Sequence, residues 1–376
     1  MTKAGSGTGV AYLEFQPLSP EANSTLTVPM PEFDTSLSSF VARLPKVELH
    51  LHLEGAVRPE TLLELSQNKS GLRRKVDEWI AARRAECFRY TNFREFLVAF
   101  GIISLLIETP RDYSLITTRL IEWLAEQNVQ YAEVIFAAGV VLWKKQAVEA
   151  VFEAVATAAE DAEARTGVQV RWIFDATRQF GVDHVRQVMR RAARYRSQGV
   201  VGFGIGGDEV VGPAKLFSDI FREARDLGLH CVAHAGEACG PESIRDAVES
   251  LGAERIGHGL TATRDVGVMA LLRDRRIPVE VCPSSNVATG LIARFEDHPM
   301  PRFLEAGLVV TLNSDDPAMF GTSLQEEFMH AARSFELSRE TLTGLCRNAM
   351  HASFLSEDEK LKLAAQLPAS GQLHTG

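Results

Sequence analysis

Short runs of β-branched and other apolar residues recur along this chain, each followed by a longer stretch with helical spacing. Eight of these runs predict strands, at Lys46–His52, Gln130–Phe136, Val168–Asp175, Val200–Ile205, His230–Ala235, Arg255–Gly259, Pro278–Cys282 and Leu308–Asn313. Because eight alternating strand and helix units close most naturally into a ring, the pattern predicts an α/β fold of the (β/α)8 TIM-barrel type. A doubly wound open sheet is the alternative, but its glycine fingerprint does not follow the first strand.

The barrel domain is predicted to span residues 41–365, between a flexible extension at 1–40 and a flexible tail at 366–376. The extension is rich in Gly, Ser, Thr and Pro and has few periodic apolar positions. Between the first two strands, roughly 75 residues include three stretches with helical spacing. They are Leu62–Leu65, Val76–Ala82 and Phe93–Leu106. We therefore expect extra helices, inserted after the first strand, to cover the barrel mouth.

Charge and cysteine content limit the partners that this chain is expected to have. Its 376 residues include 40 Lys plus Arg and 49 Asp plus Glu, for a net charge of −9. Because an acidic chain is repelled by nucleic acid and anionic membranes, we expect a small-molecule substrate and neither of those partners. The five cysteines form no C-x-x-C pair, no membrane span is predicted and no secretory signal is visible. These features predict a cytoplasmic protein and leave its oligomeric state open.

Histidines and acids collect where several predicted strands end. Four of the ten histidines lie there, His50, His52, His234 and His258, and Asp315 and Asp316 follow the eighth strand. Barrel enzymes build their sites at the carboxyl ends of their strands, so these side chains are expected to meet. Three imidazoles and one carboxylate suit zinc, or less well iron or manganese, with one position open for water.

Each of these residues also has a simpler explanation. The histidines could be ordinary packed residues, and the segment Asp315–Pro317 could be a capped helix start. Together these explanations fail, because burying three unpaired imidazoles and two carboxylates at one mouth costs on the order of several kcal/mol. Glu237 is then available for proton transfer, and His258 could hold or deprotonate the attacking water. The remaining histidines, among them His298 on the loop after the seventh strand, are interpreted as structural or surface residues.

The motifs together resemble the adenosine/adenine deaminase family of the metal-dependent amidohydrolases, which includes an aminodeoxyfutalosine deaminase type. The resemblance rests on six segments in the expected order, Leu44–Gly55, Gly206–Glu209, His234–Glu237, Arg255–Gly259, Cys282–Asn286 and Asn313–Pro317. It implies one zinc ion per chain, held by His50, His52, His234 and Asp315.

The same resemblance implies roles for the remaining site residues. Glu237 would protonate the purine ring nitrogen next to the amino-bearing carbon, while His258 and Asp316 would orient the attacking water. The backbone of Gly207 would hydrogen-bond the purine. The expected substrate-binding set is Gly207, His52, Glu54, Asp316 and Arg178.

One position departs from the adenosine-specific members of the family, which have an aspartate in H-x-H-x-D-G. Glu54 stands there, as in adenine deaminases and in the aminodeoxyfutalosine deaminases of menaquinone synthesis, and the segment Tyr131–Lys145 also resembles the latter. Aminodeoxyfutalosine and adenosine are therefore the first expected substrates, and free adenine is the third. A nucleoside that carries a benzoate needs a cation near the mouth, and Arg178 is the candidate, with a structural salt bridge as its alternative role.

The expected reaction is hydrolytic deamination of the adenine ring, which releases ammonia and leaves an inosine-type product. Two other hypotheses about the function stay open. The same metal centre could hydrolyse an ester, lactone or amide, or a metal-stabilised barrel could bind purines or a protein without catalysis. The H-x-E and P-C-x-x-C pattern of the cytidine-deaminase type is absent from the sequence.

Overall fold

The structure is a computed structural model that describes residues 35–67 and 90–368. The predicted helical stretch Val76–Ala82 lies outside the described residues, as do residues 1–34 and 369–376. The first helix, Thr35–Arg43, begins six residues before the predicted start of the domain at residue 41, and both Phe40 and Val41 are buried. Residues 35–40, which the composition assigned to the extension, therefore belong to a helix that carries too few apolar positions to show a period.

Eight parallel strands, β1 to β8 in chain order, form one sheet in which each strand pairs with the next. They are Lys46–His52, Val129–Phe136, Gln169–Thr177, Val200–Gly206, His230–Ala235, Arg255–His258, Val279–Val281 and Val310–Leu312. The end of β1 also meets the segment after β8, since Asp315 N donates to His50 O at 2.9 Å and His52 N donates to Asp315 O at 2.8 Å. The sheet is thus a nearly closed barrel, which confirms the predicted fold.

The described α-helices alternate with the strands and cover the outside of the barrel. They are Thr35–Arg43, Pro59–Ser66, Phe93–Leu106, Pro110–Glu126, Ala138–Trp143, Val148–Thr166, Val182–Arg194, Ser218–Asp226, Pro241–Asp246, Val266–Asp274, Pro283–Ala288, Met300–Glu305, Pro317–Phe320, Leu324–Ser334, Arg339–Ala352 and Glu357–Ala364. Among them, none is long and apolar enough to cross a membrane.

Helix Phe93–Leu106, called the mouth helix below, lies between β1 and β2 in the chain, as predicted. Asn92 caps its first turn by accepting a hydrogen bond from Glu95 N. Phe96 is buried, and Phe93 and Phe100 pack partly buried against the same core. The inserted segment therefore contributes an aromatic wall above the carboxyl ends of the strands.

Strands β7 and β8 are shorter than predicted. Where the chain turns toward the site, polar side chains form the hydrogen bonds in place of the strand backbone. Asn313, just after β8, accepts from Leu49 N at 3.0 Å through its side chain. Glu48 accepts from the backbone N–H and the hydroxyl of Ser314 at 2.9 and 3.2 Å. These buried bonds tie the end of β8 to β1 and fix the position of the residues that follow.

Candidate metal centre and active site

Three histidines and one aspartate meet at the carboxyl ends of the strands. His50 and His52 end β1, His234 lies on β5 and Asp315 follows β8, and their ligand atoms all lie within 4.8 Å of one another. His52 Nε2 lies 3.3 Å from His234 Nε2 and 3.4 Å from Asp315 Oδ1. These are the four residues that the sequence predicted, and we call them the four-residue cluster.

The donor set of the four-residue cluster fits a zinc-sized ion. His50 Nε2 is buried without a hydrogen-bond partner among the described residues, and it lies 3.5 Å from Asp315 Oδ1. Tetrahedral zinc with bonds of about 2.0–2.1 Å separates its ligand atoms by roughly 3.3 Å. Three separations between donor atoms, at 3.3, 3.4 and 3.5 Å, match that spacing, so the cluster can hold one metal ion.

A buried ion-pair network orients His50 by contacting the side of its ring that faces away from the four-residue cluster. Its Nδ1 lies 2.8 Å from Glu280 Oε2, and the other oxygen of Glu280 accepts from Arg255 Nε at 2.5 Å. Arg255 also donates to Glu133 Oε2 at 2.6 Å. Burial alone raises the pKa of Glu280, but Arg255 and His50 outweigh it and hold the pKa below its ordinary value. The carboxylate therefore accepts the Nδ1 proton, which leaves the Nε2 lone pair directed at the cluster.

The backbone at two site residues adopts a conformation that is rare for side chains other than glycine. His258 and Asp315 both have a φ of 63°. A Cβ on Gly257, in the middle of β6, would lie 2.6 Å from His50 Cε1, so β6 approaches this imidazole closely only because residue 257 is glycine. Such strained positions cluster at functional sites, where the surrounding packing holds them.

A cavity of about 260 Å³ opens above the four-residue cluster. Glu237, His258, Asp316 and Gly207 line it, as do His52, His234 and Asp315. On the outer side its walls are mainly apolar, formed by Phe93, Phe96, Leu97, Phe100 and Leu105 of the mouth helix together with Val140, Trp143 and Phe180, and Ser104, Lys144 and Gln179 add polar groups to the lining. A polar, metal-ligating floor beneath an aromatic upper wall suits a flat polar ring with an apolar substituent.

Glu237 is placed to act as an acid. Its side chain is 6% exposed, and burial, with the neighbouring Asp315 and Glu209, raises its pKa well above the ordinary value. The shift favours the protonated form of this carboxyl. Its Oε1 lies 3.6 Å from His258 Nε2. A protonated carboxyl facing the cavity can donate to a ring nitrogen of a bound substrate.

Glu209 holds the loop that carries Glu237. Its carboxylate accepts from the backbone N–H groups of Gly236, Glu237 and Ala238 at 2.9, 3.0 and 2.9 Å, and from the Ser243 hydroxyl. The sequence placed Glu209 in a motif but assigned it no role, since its partners lie 27 to 34 positions further along the chain.

The two aspartates after β8 differ in protonation. Burial alone raises the pKa of Asp315, but the facing imidazole of His50 and the nearby His258 hold it well below the ordinary value, so Asp315 is ionised. Burial and the adjacent Asp315 raise the pKa of Asp316 well above its ordinary value. The Asp316 carboxyl packs over Gly55, where any side chain would overlap it. One aspartate can thus ligate a cation while the other donates a hydrogen bond.

Gly207 lies where β4 turns away from the cavity, with a φ of 88° that favours glycine. A Cβ there would overlap the side chain of Gln179, whose oxygen accepts from Asp208 N at 3.1 Å.

Asp175, on β3, is a site residue that the sequence did not select. It lines the cavity, is 8% exposed and has one oxygen without a partner among the described residues, and burial raises its pKa to about 7.

Arg178 does not occupy the substrate-binding position expected for it. Its side chain is 1% exposed, donates to Gly212 O at 3.1 Å and to His234 O, and is not among the described residues that line the cavity. The expectation failed because the chain turns inward after β3, which directs the guanidinium at backbone carbonyls. Arg178 supports the strand end that carries His234 instead of meeting a ligand.

Glu54 also lies behind the cavity wall rather than in it. It is 1% exposed and accepts from Ala137 N at 3.3 Å, while its second oxygen has no partner in the described part of the chain. Burial raises its pKa to about 7. Because Ala137 lines the cavity, Glu54 influences the wall through this backbone contact.

A (β/α)8 barrel that gathers three histidines and an aspartate at the carboxyl ends of its strands has the architecture of a metal-dependent hydrolase. The family model described as adenosine deaminase matches residues 45–369, and the chain belongs to this family. It is accordingly a metal-dependent hydrolytic deaminase, and its substrate is a small adenine-containing molecule.

The chain is similar to several characterised relatives over most of its length. An aminodeoxyfutalosine deaminase from Streptomyces avermitilis is 39% identical over 333 residues, which cover 88% of this chain and 92% of that protein. An adenine deaminase from Hahella chejuensis is 34% identical over 338 residues, 90% of this chain and 100% of that protein. The crystal structure of an amidohydrolase from Burkholderia ambifaria with bound zinc has a TM-score of 0.80 at 26% identity and covers 89% of this chain and 92% of that one.

Proposed function

We propose that this chain is a zinc-dependent aminodeoxyfutalosine deaminase, with one zinc ion held by His50, His52, His234 and Asp315. The observation that carries the proposal is the aromatic outer wall of the cavity. Trp143 is 53% exposed and stacks on Phe180 with the ring centroids 5.6 Å apart and the planes 4° from parallel. An exposed aromatic platform beside an adenine-sized polar floor suits a nucleoside whose sugar carries a second aromatic ring.

The comparisons support this choice of substrate. The Streptomyces avermitilis relative is named for aminodeoxyfutalosine, and its similarity covers nearly all of both chains. The relative with bound zinc supports the identity of the metal, together with the spacing of the donor atoms in the four-residue cluster.

The chemistry follows from the positions of the side chains. When bound, zinc lowers the pKa of water toward neutrality and so provides a nucleophile at neutral pH. Glu237 donates its proton to the ring nitrogen beside the amino-bearing carbon, which makes that carbon electrophilic. Attack by water on that carbon and departure of ammonia then convert the adenine ring to the inosine-type ring. Of the two protons of the water, one leaves with the amino group as ammonia and the other returns to Glu237. Asp316 and His258 face the same space and orient the attacking oxygen, and Gly207 offers its backbone to the purine.

The cation for the benzoate is Arg94 in this proposal, in place of Arg178. Arg94 is exposed on the mouth helix and lines an outer recess that shares Phe93, Leu97 and Gln179 with the catalytic cavity. No described residue pairs with its guanidinium. A carboxylate that leaves the cavity along the aromatic wall therefore meets an arginine, whose planar donors match it.

Adenine deamination is the second candidate function. The Hahella chejuensis relative is named an adenine deaminase, and the match covers the whole length of that protein. Adenosine is the third. The test is ammonia release from zinc-loaded protein with aminodeoxyfutalosine, adenosine, deoxyadenosine and adenine in parallel. The proposal expects the highest kcat/KM with aminodeoxyfutalosine. A higher kcat/KM with adenine or adenosine would make that compound the proposed substrate instead. If none of the four compounds releases ammonia, an ester, lactone or amide substrate or a non-catalytic binding role would be favoured.

A further inference from the structure

A chain of hydrogen bonds runs from the backbone of Met300 to the catalytic cavity. Met300 N donates to His298 Nδ1 at 3.1 Å, His298 Nε2 lies 3.1 Å from Asn286 Oδ1, and Asn286 Nδ2 lies 3.3 Å from His258 Nδ1. The exposed fractions of His298, Asn286 and His258 are 3%, 0% and 1%. We call these three side chains and the Met300 N–H the relay. Its members come from three separate segments, so only the folded barrel assembles it.

The direction of every bond in the relay follows from its first one. A backbone N–H can only donate, so His298 Nδ1 accepts, and a neutral His298 must carry its proton on Nε2. That Nε2–H donates to an oxygen, which makes the atom of Asn286 that faces it Oδ1. The amide NH2 of Asn286 therefore faces His258 and donates to Nδ1. With Nδ1 accepting, neutral His258 carries its proton on Nε2.

We infer that His298 and Asn286 are positioning residues that hold His258 in the Nε2–H tautomer, so that His258 donates a hydrogen bond in the site and does not act as a base. The inference rests on the placement of His258 in the proposed active site. His258 Nε2 lies 3.6 Å from Glu237 Oε1 and 3.9 Å from Asp315 Oδ2. Its hydrogen thus enters the space between the proton donor and the ligating carboxylate, where the attacking oxygen meets the substrate.

A fixed donor at this point favours the reactive form of the attacking oxygen. That oxygen must lose a proton to attack the ring, and a preoriented N–H beside it stabilises the negative charge left on it without reorganisation. The opposite tautomer would present a lone pair that accepts a hydrogen bond from the oxygen and would leave that charge without a donor. Burial and the nearby His258 lower the pKa of His298 to about 3, so His298 is neutral over the working pH range and keeps the relay in one direction.

The first test reverses the last bond of the relay. Asn286→Asp replaces the NH2 donor by a carboxylate that can only accept from His258 Nδ1–H. We expect kcat to fall about 100-fold, the size of effect seen when one preorganised donor to a developing oxyanion is lost. KM should stay within about twofold, because His258 acts on the transition state and not on the bound purine. A kcat within threefold of wild type, at equal zinc content, would overturn the inference.

Two replacements of His298 separate the relay from simple packing. In His298→Asn, the side chain keeps an acceptor near the Nδ1 position for Met300 N but loses the donor to Asn286. In His298→Gln, the longer side chain places its amide near the Nε2 position and can donate to Asn286 Oδ1. We expect His298→Asn to lower kcat about tenfold and His298→Gln to recover most of that loss. Equal loss in both would show a packing role and contradict the inference. His330→Asn, which removes an exposed histidine near Phe295, is the control for loss of an imidazole.

Nitrogen NMR of zinc-loaded protein labelled with 15N-histidine reads the tautomer without any variant or substrate. The expected spectrum shows His258 and His298 both protonated at Nε2, assigned by the loss of their signals in His258→Asn and His298→Asn. A proton on Nδ1 of His258 would overturn the inference even if the protein deaminates its substrate. If the tautomer is Nε2–H but no adenine derivative reacts, the proposed function fails and the positioning role stands.

Discussion

The Nδ1 atom of His50 lies 2.8 Å from Oε2 of Glu280, and both side chains are at most 2% exposed. Arg255 holds the other oxygen of the same carboxylate, so Glu280 stays ionised in a fully buried place. The pair fixes the tautomer of His50 and aims its free nitrogen at the four-residue cluster. A buried arginine on β6 thereby helps to orient a histidine of the four-residue cluster on β1.

Glu280→Gln is expected to weaken zinc binding 10- to 100-fold, the usual cost of losing an acceptor behind a ligating histidine. Gln keeps the size of the side chain but cannot carry the charge that matches Arg255. The measurement is zinc affinity by competition with a chelator. Glu254→Gln is the matched control, since Glu254 pairs with His230 at 2.9 Å on the surface. Unchanged affinity in Glu280→Gln would show that this contact does not support the metal.

Glu237→Gln is expected to lower kcat by a factor of about 10² to 10⁴, because the amide cannot transfer a proton to the ring nitrogen. Zinc content should not change, as Glu237 is not one of the four cluster residues. In wild type, kcat should decline as pH rises through the elevated pKa of Glu237, since only the protonated carboxyl donates. Full activity of the variant on a deamination substrate would exclude the acid role. Retained activity on an ester or lactone would instead favour that class of substrate.

Arg94→Gln is expected to raise KM for aminodeoxyfutalosine about tenfold and to leave KM for adenosine unchanged. The reason is that only the first substrate carries a carboxylate for the guanidinium to bind. Arg302→Gln, on an exposed position of helix Met300–Glu305, controls for loss of a surface charge. The assignment of Arg94 is wrong if KM changes equally for both substrates or for neither.

Glu327→Gln tests a pH dependence of stability. Glu327 is fully buried and accepts from Thr322 Oγ1 at 2.7 Å and from Ser284 N at 3.2 Å, and burial raises its pKa from 4.5 to about 7. The folded state keeps a proton that the unfolded chain releases. The stability contributed by that protonated group is therefore complete below pH 4.5 and is lost as pH rises toward 7.

The neutral amide in Glu327→Gln removes this loss. Relative to wild type, the free energy of unfolding of the variant should increase by on the order of 3 kcal/mol between pH 4.5 and 7, as urea denaturation can measure. Glu305→Gln, on an exposed helix end, should show no such trend. A constant difference between Glu327→Gln and wild type across this range would contradict the raised pKa.

The barrel and the four-residue cluster could be predicted from the sequence because the strands have a strong local signal. The run that ends at His52 alternates cleanly between polar and apolar residues, and β1 and β5 have the predicted bounds. Since parallel strands bring their carboxyl ends to one edge, knowing which residue ends each strand was enough to place His50, His234 and Asp315 together.

The network behind the site could not be predicted, because its members are far apart in the chain. His50 and Glu280 are separated by 230 positions, and Arg255 and Glu133 by 122. A charged residue inside a buried strand indicates that some partner exists, but the register between strands decides which one. The direction of a single side chain could not be predicted either. Arg178 directly follows β3, as expected for a substrate-binding residue, yet its guanidinium donates to backbone carbonyls.

Zinc reconstitution tests the central claim most directly. Protein stripped of metal with a chelator is titrated with zinc while ammonia release from aminodeoxyfutalosine is followed. The account predicts no activity without metal, a linear rise with added zinc, a plateau at one zinc per chain and no recovery in His234→Ala. Activity that persists in the stripped protein, or a plateau that His234→Ala also reaches, would contradict a catalytic zinc ion held by these four residues.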